Sequence, residues 1–198
     1  MQNRVQGSAG LAQMVHLVGK YSKSLNITGS SGDRERWEHA GEAVLAVLAV
    51  EFALGRPLSS DDRWLDVGSG GGFPGLVVAA VVDAALVLVE PREKRAAFLE
   101  VGMGRLGRRG CVHRGRLEAS GWSGRHASRI SAMGRFDVVG ARAVFDPETW
   151  CARAGLVVQS EGLTVLHLHR GRALPEGFVV AGEANWKDWR VVAGRMQR

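Results

Sequence analysis

Cysteine is scarce in this chain of 198 residues, with only Cys111 and Cys151 present. The two are far apart, and neither has a Cys or His neighbour at the spacing that zinc ligands usually show. So sparse a pair is typical of reduced structural thiols rather than of a disulfide framework. We therefore expect two reduced thiols and no metal site.

Long hydrophobic runs are also missing. No stretch approaches the roughly 20 uninterrupted apolar residues that span a bilayer, and residues 1–20 lack the continuous apolar segment of a secretory signal. The sequence thus predicts a cytoplasmic protein without membrane contact. With 198 residues and 45% hydrophobic composition, the chain is long enough for one domain with a full core and short for two. We expect residues 1–198 to form one domain.

Acidic residues are few in the segment from Arg92 to Arg135. Eleven Arg or Lys stand there against three acids, a local excess of eight positive charges in a chain whose net charge is +6. Such a field favours a polyanion such as RNA or DNA. A solvated, arginine-rich surface without a partner is the alternative that composition alone leaves open.

Hydrophobic periodicity divides the chain into a helical first part and an alternating second part. Apolar residues recur at helical spacing between residues 11 and 54, on either side of turn-forming residues at 26–33. From residue 63, strand-like runs at 64–67, 85–89, 111–113 and 136–139 alternate with helix-like segments at 74–82, 91–106 and 146–158, while residues 114–135 look largely irregular. Three final runs, at 163–168, 177–181 and 190–193, have no helix between them.

This order predicts an α/β fold with a mostly parallel sheet and helices on both of its faces. Residues 1–60 would form a helical N-terminal extension, and residues 61–198 would form the sheet core. The closing strands would pair like a hairpin at one edge of the sheet.

The stretch WLDVGSGGGFPG, residues 64–75, is a glycine-rich turn between the first predicted strand and its helix. Residues 70–75 formally satisfy the G-x-G-x-x-G dinucleotide fingerprint. Pro74, however, removes a backbone donor that a pyrophosphate would need, and Phe73 adds bulk beside it. S-adenosylmethionine carries no phosphate and offers a sulfonium, an ammonium and ribose hydroxyls, for which Asp66 and Glu90 at two strand ends are suitable acids. We therefore predict S-adenosylmethionine as the cofactor, with NAD(P) or a cofactor-free turn as alternatives.

Several motifs in order resemble the 16S rRNA guanine-N7 methyltransferases, a family also called glucose-inhibited division protein B or methyltransferase G. The similarity extends over residues 14–196. His39 and Glu42 occupy the places of a His and an acid in that family. The other matching motifs are YSKSLNIT (21–28), LDVGSGGGFPG (65–75), EPREKRAAFL (90–99), RLE (116–118) and FDVVGARA (136–143).

The resemblance implies a Rossmann-like class I methyltransferase with a seven-stranded sheet, and we expect the protein to be a monomer. It implies that Gly68, Gly70 and Phe73 contact the cofactor, with Gly68 and Phe73 at its methionine part, and that Asp66 and Glu90 supply acids, Glu90 at the ribose. Leu117 and Glu118 would contact the adenine, and Arg142 the cofactor or the target pocket. The substrate would be a guanine of 16S rRNA or of a small-subunit assembly particle, and we expect Lys94, Arg95 and Arg125 to contact RNA.

Guanine N7 carries a free lone pair, so its methylation needs alignment rather than a base that removes a proton. We accordingly expect Arg142 to act as a positioning residue, with an ordinary ion pair as the alternative. His167 and His169 alternate on one predicted strand, and without a third ligand we interpret them as ordinary strand histidines. His39 could contact RNA or the cofactor pocket, or pack within a helix. Trp122 is a candidate for stacking on a flipped base.

The chain also departs from the family pattern. Glu38 stands where the family has Arg, Gly140 and Ala141 replace residues that usually include Ser, and Arg170 replaces a Lys. The connection between the fifth and sixth predicted strands is also short, with only residues 171–176 where the family commonly has a helix. These departures leave open a diverged paralogue with another RNA target. A methyltransferase that acts on a small molecule and a non-catalytic RNA-binding protein are further alternatives.

Overall fold

The structure is a computed structural model that describes residues 9–25 and 32–197. The predicted turn at residues 26–33 therefore lies outside the described residues except for Gly32 and Asp33, and so do residues 26–28 of the YSKSLNIT motif. The strands, in chain order, are β1 (Arg63–Val67), β2 (Ala85–Val89), β3 (Gly110–His113), β4 (Arg116–Glu118), β5 (Gly121–Ser123), β6 (Phe136–Ala141), β7 (Val158–His169), β8 (Phe178–Trp186) and β9 (Trp189–Met196).

Seven of these strands form one sheet in the order β3-β2-β1-β6-β7-β9-β8, and β4 pairs with β5 in a separate hairpin. The first five strands of the sheet are parallel, while β9 is antiparallel to both β7 and β8. The chain therefore closes with a hairpin whose second strand, β9, inserts between β7 and the edge strand β8. This confirms the predicted seven-stranded, mostly parallel sheet with an antiparallel pair at one edge.

Helices cover both faces of the sheet. They are α1 (Ala9–Leu25), α2 (Asp33–Leu54), α3 (Gly75–Val81), α4 (Glu93–Leu106), α5 (Ala127–Ala132) and α6 (Pro147–Ala154). Side chains of α1 to α4 contribute to one hydrophobic core and side chains of α5 and α6 to the other. The α/β fold class predicted from the sequence is thus confirmed.

Alternating side chains of the strands build these two cores. In β2, Leu86 and Leu88 enter the first core, whereas Val87 and Val89 enter the second. A strand buried on both faces needs apolar residues at every position, which is why β2 appears in the sequence as a continuous apolar run.

The helix α2 is packed closely on the C-terminal hairpin. A Cβ atom added at Gly182 of β8 would lie 2.1 Å from the carbonyl oxygen of Ala49 in α2, so only glycine permits this approach. Glu42, His39 and Glu38 all lie on α2. The N-terminal helices are thereby held against the sheet beside the ends of β6 and β7.

Two stretches differ from the expectation. Residues 114–135 contain the β4-β5 hairpin and α5, which were not predicted because three-residue strands of mixed polarity have no period to detect. The helix α6 ends at Ala154 rather than near residue 158, since β7 already begins at Val158.

Candidate functional site

A cavity of about 890 Å³ opens at the carboxyl ends of β1, β2 and β6. This is the edge of an open α/β sheet at which ligands bind, next to the point where the strand order reverses. Its wall is formed by residues 67–71, 73, 90–92, 95, 115–120, 142–145 and 153, together with His39. The cavity is large enough for a nucleoside-sized ligand.

The glycine loop forms the floor of this cavity, and Gly68 is required there. Gly68 has φ +75°, and a Cβ atom at this position would lie 2.4 Å from Cγ2 of Val144. The backbone N–H groups of Gly68 and Ser69 both donate to the carbonyl oxygen of Val89, at 2.7 and 3.1 Å. The loop is therefore fixed to the end of β2 and passes close under the segment that follows β6.

Asp66 lies behind the glycine loop rather than in the cavity wall. Its side chain is fully buried, and Oδ2 accepts a hydrogen bond from the backbone N–H of Gly75 at 3.1 Å. Burial raises the pKa of the Asp66 carboxyl to about 6. The sequence predicted that Asp66 contacts the cofactor. In the structure its side chain instead points to the start of α3, where it supports the glycine loop from behind.

Glu90 does stand in the cavity wall, at the end of β2. Its carboxylate accepts two backbone hydrogen bonds, from Gly70 to Oε2 at 3.0 Å and from Arg92 to Oε1 at 2.8 Å. The side chain is 4% exposed. Each carboxylate oxygen can accept a second hydrogen bond, so Glu90 is held in one orientation with acceptor capacity left for a ligand.

The β4-β5 hairpin provides another part of the wall. Leu117 is buried in the second core and also lines the cavity, whereas Glu118 is exposed and accepts a hydrogen bond from Ser123 Oγ at 2.6 Å. Trp122, directly opposite Leu117 in the hairpin, packs against the second core. The structure brings Leu117 and Glu118 together with Glu90, and it gives Trp122 a packing position.

A second cavity, of about 410 Å³, adjoins the first and shares four residues with it: His39, Arg142, Ala143 and Phe145. Ala143 has φ +55°, a left-handed conformation that is unusual for a residue with a side chain. Backbone strain of this kind costs on the order of 1 kcal/mol and is concentrated at functional sites. Arg142 immediately precedes this strained residue, in the wall common to both cavities.

Arg142 belongs to a buried polar network. Its Nε donates to Oε2 of Glu42 at 2.9 Å, and its Nη2 lies 2.6 Å from the same oxygen and 2.7 Å from Nδ1 of His39. Oε1 of Glu42 lies 3.0 Å from Nδ1 of His167. The network joins α2 to the ends of β6 and β7.

The carboxylate of Glu42 is fully buried at the centre of this network. Burial by itself would raise its pKa, but hydrogen bonds from His167 and Arg142 outweigh burial and bring the pKa below its ordinary value. Burial, followed by the charge of Arg142, lowers the pKa of His39. At neutral pH Glu42 is therefore ionised and His39 is neutral, so His39 Nδ1 can accept the hydrogen bond from Arg142.

The sequence did not reveal that His167 belongs to this network. His167 and His169 both line the second cavity, and the ring of His169 stacks on Trp189 with 4.3 Å between centroids. Across residues 9–25 and 32–197, no group of three or more His, Cys, Asp or Glu could hold a metal ion. The alternation of His167 and His169 in the sequence indicated that both lie on one face of a strand. Sequence alone could not distinguish the wall of a cavity from ordinary strand positions.

The two cysteines are free thiols. Burial raises the pKa of both, to about 11 for Cys151. Cys111 Sγ lies 3.2 Å from His113 Nε2. Both thiols are therefore mainly protonated at neutral pH.

The basic segment is mostly at the surface. Nine of its eleven Arg and Lys side chains are exposed, among them Lys94 and Arg125, while Arg95 is half-buried in the cavity wall. Arg114 pairs with Glu93, and Arg108 with Asp83. None of the helices in the described part of the chain is long and apolar enough to cross a membrane.

The sheet order and the position of the cavity define a Rossmann-like class I methyltransferase fold. Solved methyltransferase structures share it. The ribosomal protein L11 methylase of Lactobacillus delbrueckii subsp. bulgaricus matches with a TM-score of 0.59 and 14% identity, over 86% of this chain and 81% of that one. A Thermus thermophilus 16S rRNA N2 methyltransferase, solved with AdoMet and guanosine, matches with a TM-score of 0.57 and 16% identity, over 79% of this chain and 43% of that one.

Sequence comparison identifies the family. The family model described as rRNA small subunit methyltransferase G matches residues 8–174. The ribosomal RNA small subunit methyltransferase G of Rhizobium rhizogenes is 35% identical over 176 residues, which are 86% of this chain and 75% of the relative. The protein of the same name from Allorhizobium ampelinum is 31% identical over 166 residues, 82% of this chain and 71% of the relative. The chain belongs to the rRNA small subunit methyltransferase G family, as the motifs indicated.

Proposed function

We propose that the protein uses S-adenosylmethionine to methylate N7 of a guanine in 16S rRNA. The observation that carries the proposal is the pair of adjoining cavities with Arg142 in their common wall. One cavity lies over the glycine loop and contains the oriented carboxylate of Glu90. The other is open to an acceptor from the RNA.

The first cavity fits S-adenosylmethionine by the chemistry of its wall. Glu90 would accept hydrogen bonds from the ribose hydroxyls, since backbone donors already fix its orientation. Leu117 offers an apolar surface for the adenine, with Glu118 at its edge, and the backbone at Gly68, Gly70 and Phe73 would lie along the methionine part. When bound, the cofactor supplies a methyl group on a positively charged sulfur.

Asp66 contributes to this site indirectly in our proposal. Its hydrogen bond to Gly75 N fixes the return of the loop into α3. Without that support, the end of the loop at Phe73 would no longer be held at the floor of the cavity, whereas Gly68 would still be held by Val89. Asp66 therefore maintains the shape of the site without touching the ligand.

The acceptor base would enter the second cavity, whose volume of about 410 Å³ exceeds that of a purine. N7 of guanine carries an unprotonated lone pair, and its reaction needs correct alignment and exclusion of water rather than a general base. Arg142 and neutral His39 are the polar groups that both cavities share. We assign Arg142 the role of positioning the base.

The exposed basic residues would hold the RNA backbone. Lys94 and Arg125 are exposed, and Arg95 reaches the cavity wall, so phosphates could be bound from the mouth of the site outward. The substrate would be 16S rRNA or a small-subunit assembly particle. We further propose that the enzyme works in the cytoplasm, where this RNA is made, and as a monomer.

Mass spectrometry of nucleosides from 16S rRNA of a strain that lacks the gene would test the proposal. We expect one 7-methylguanosine to disappear and to return with the wild-type gene, but not with the Glu90→Ala variant. Glu183→Ala, which removes an exposed carboxylate on β8, is the matched control and should restore the modification. An unchanged 7-methylguanosine content in the deletion strain would overturn the assignment and point to a paralogue with another target.

A further inference from the structure

The carboxylate of Glu42 is the feature of this site that the proposed chemistry has not yet used. It is fully buried on α2, it contacts Arg142 through both Nε and Nη2, and it lines the second cavity. A buried carboxylate is costly to maintain unless its charge is compensated, and here the compensating cation is a residue of the active-site wall.

The charge of the cofactor cavity explains why such a carboxylate matters. Five arginines line the cavity against only two carboxylates, Glu90 and Glu118; the arginines are Arg92, Arg95, Arg116, Arg142 and Arg153. A sulfonium is itself a cation, and a guanine methylated at N7 becomes one. Arg142 has a side chain that is only 16% exposed, and an uncompensated charge on it would therefore oppose both the bound cofactor and the transfer of its methyl group.

We propose that Glu42 is a charge-balancing and positioning residue, which neutralises Arg142 so that a cationic sulfonium is tolerated beside it. The inference rests on the proposed use of S-adenosylmethionine. Glu42 orients the guanidinium through two contacts to one oxygen, and His167 holds the other oxygen from β7. Arg142 can then offer its remaining N–H groups to the base without adding a net charge to the site.

The proposal predicts discrimination between two ligands that differ by one charge. S-adenosylhomocysteine, the product of the reaction, has the same adenosine and amino-acid parts but a neutral thioether. Loss of the Glu42 charge should weaken the binding of S-adenosylmethionine, the sulfonium, and leave the binding of S-adenosylhomocysteine, the thioether, nearly unchanged. If Glu42 had only a structural role, its substitution would weaken the binding of both ligands equally, because their shared parts make the same contacts.

Calorimetric titration of the full chain with both ligands provides the test. For Glu42→Gln we expect the affinity for S-adenosylmethionine to fall by about tenfold relative to that for S-adenosylhomocysteine, as an uncompensated charge at partly screened distance would require. Arg142→Met should shift the ratio in the opposite direction, because Glu42 then remains without its cation. The double variant should return toward the wild-type ratio.

Binding of S-adenosylhomocysteine shows that each variant is folded, and Arg142→Met keeps the test decisive if Glu42→Gln does not fold. Asp62→Asn is the matched control, since Asp62 is also a buried, arginine-paired carboxylate but lies outside both cavities. It should leave the ratio unchanged. An equal loss of both ligands in Glu42→Gln, or an unchanged ratio in Arg142→Met, overturns the inference. If the wild-type protein binds neither ligand, the proposed function itself fails.

Discussion

The carboxylate of Asp66 accepts a hydrogen bond from the backbone N–H of Gly75 across 3.1 Å, and this contact joins the end of β1 to the first residue of α3. A Cβ atom at residue 75 would lie 2.6 Å from the same Oδ2, so the contact depends on glycine.

Protonation of Asp66 should make stability depend on pH in an unusual direction. Burial raises its pKa from 3.8 to about 6 in the folded chain, so the folded state binds more protons than the unfolded state between these values. Stability therefore falls as pH rises from 4 to about 7, by up to about 3 kcal/mol from this group. Urea unfolding at several pH values should show this loss in the wild type but not in Asp66→Asn, measured as the difference between the two. A pH-independent difference would mean that Asp66 is not protonated on burial.

Gly68→Ala should weaken both folding and cofactor binding. Position 68 has φ +75°, and the new Cβ would meet Val144 Cγ2 at 2.4 Å, while the Cβ of Val144 would be 3.5 Å away. The left-handed conformation alone costs about 1 kcal/mol, and the clash adds to it. Adding Val144→Ala should remove the clash but not the conformational cost, so the double variant should recover part of the lost stability. No recovery in thermal or urea unfolding would show that the contact with Val144 does not constrain the loop.

Glu90→Gln should lower the affinity for S-adenosylmethionine by tenfold or more, on the order of the 1.5–3 kcal/mol of a hydrogen bond to a charged group. The amide also places an NH₂ group against one of the two backbone donors at Gly70 and Arg92. Glu118→Gln should lower this affinity less than Glu90→Gln does, because Glu118 is exposed to water. Calorimetric titration measures both, and an equal effect of the two substitutions would argue against a special role of Glu90.

Lys94→Ala and Arg125→Ala should weaken RNA binding without changing affinity for the cofactor. Each exposed cation that neutralises a phosphate contributes to the salt dependence of binding, so its loss should reduce the slope of log K against log salt by about 0.7 to 0.9. Filter binding with a 16S rRNA fragment at several salt concentrations gives the slope. Lys20→Ala, on α1, removes an exposed cation outside the basic segment and should leave the slope unchanged. A slope that falls equally with Lys20→Ala would indicate diffuse rather than localised RNA binding.

Local patterns were sufficient for the main elements of the fold. The continuous apolar run of β2, the largely apolar strands β1 and β6 and the helical periods between them follow from burial on two faces, which acts on each segment separately. The hairpin of residues 116–123 escaped prediction because its strands are three residues long and are stabilised by the anchoring of Leu117 in the second core. Its existence depends on tertiary packing more than on local preference.

The site was predictable where residues follow strand ends and was not predictable where it depends on side-chain direction. Glu90 and the glycine loop line one cavity, as their places after two predicted strands suggest, because parallel strands bring their carboxyl ends to one edge of the sheet. Asp66 lies one residue before the end of the neighbouring strand β1, level with Leu88, and its carboxylate turns toward α3 and leaves the cavity to Glu90. The sequence placed both acids near strand ends but carries no signal for the direction in which each side chain points.

By itself the sequence determined the α/β class, the position of the glycine loop and the family, because each depends on residues that are close in the chain. The tertiary structure alone decided how Arg142 is used. Its partners Glu42 and His39 precede it by 100 and 103 residues, and His167 is 125 residues from Glu42. These groups meet only when α2 packs beside the ends of β6 and β7, where exclusion of water makes their mutual compensation of charge necessary.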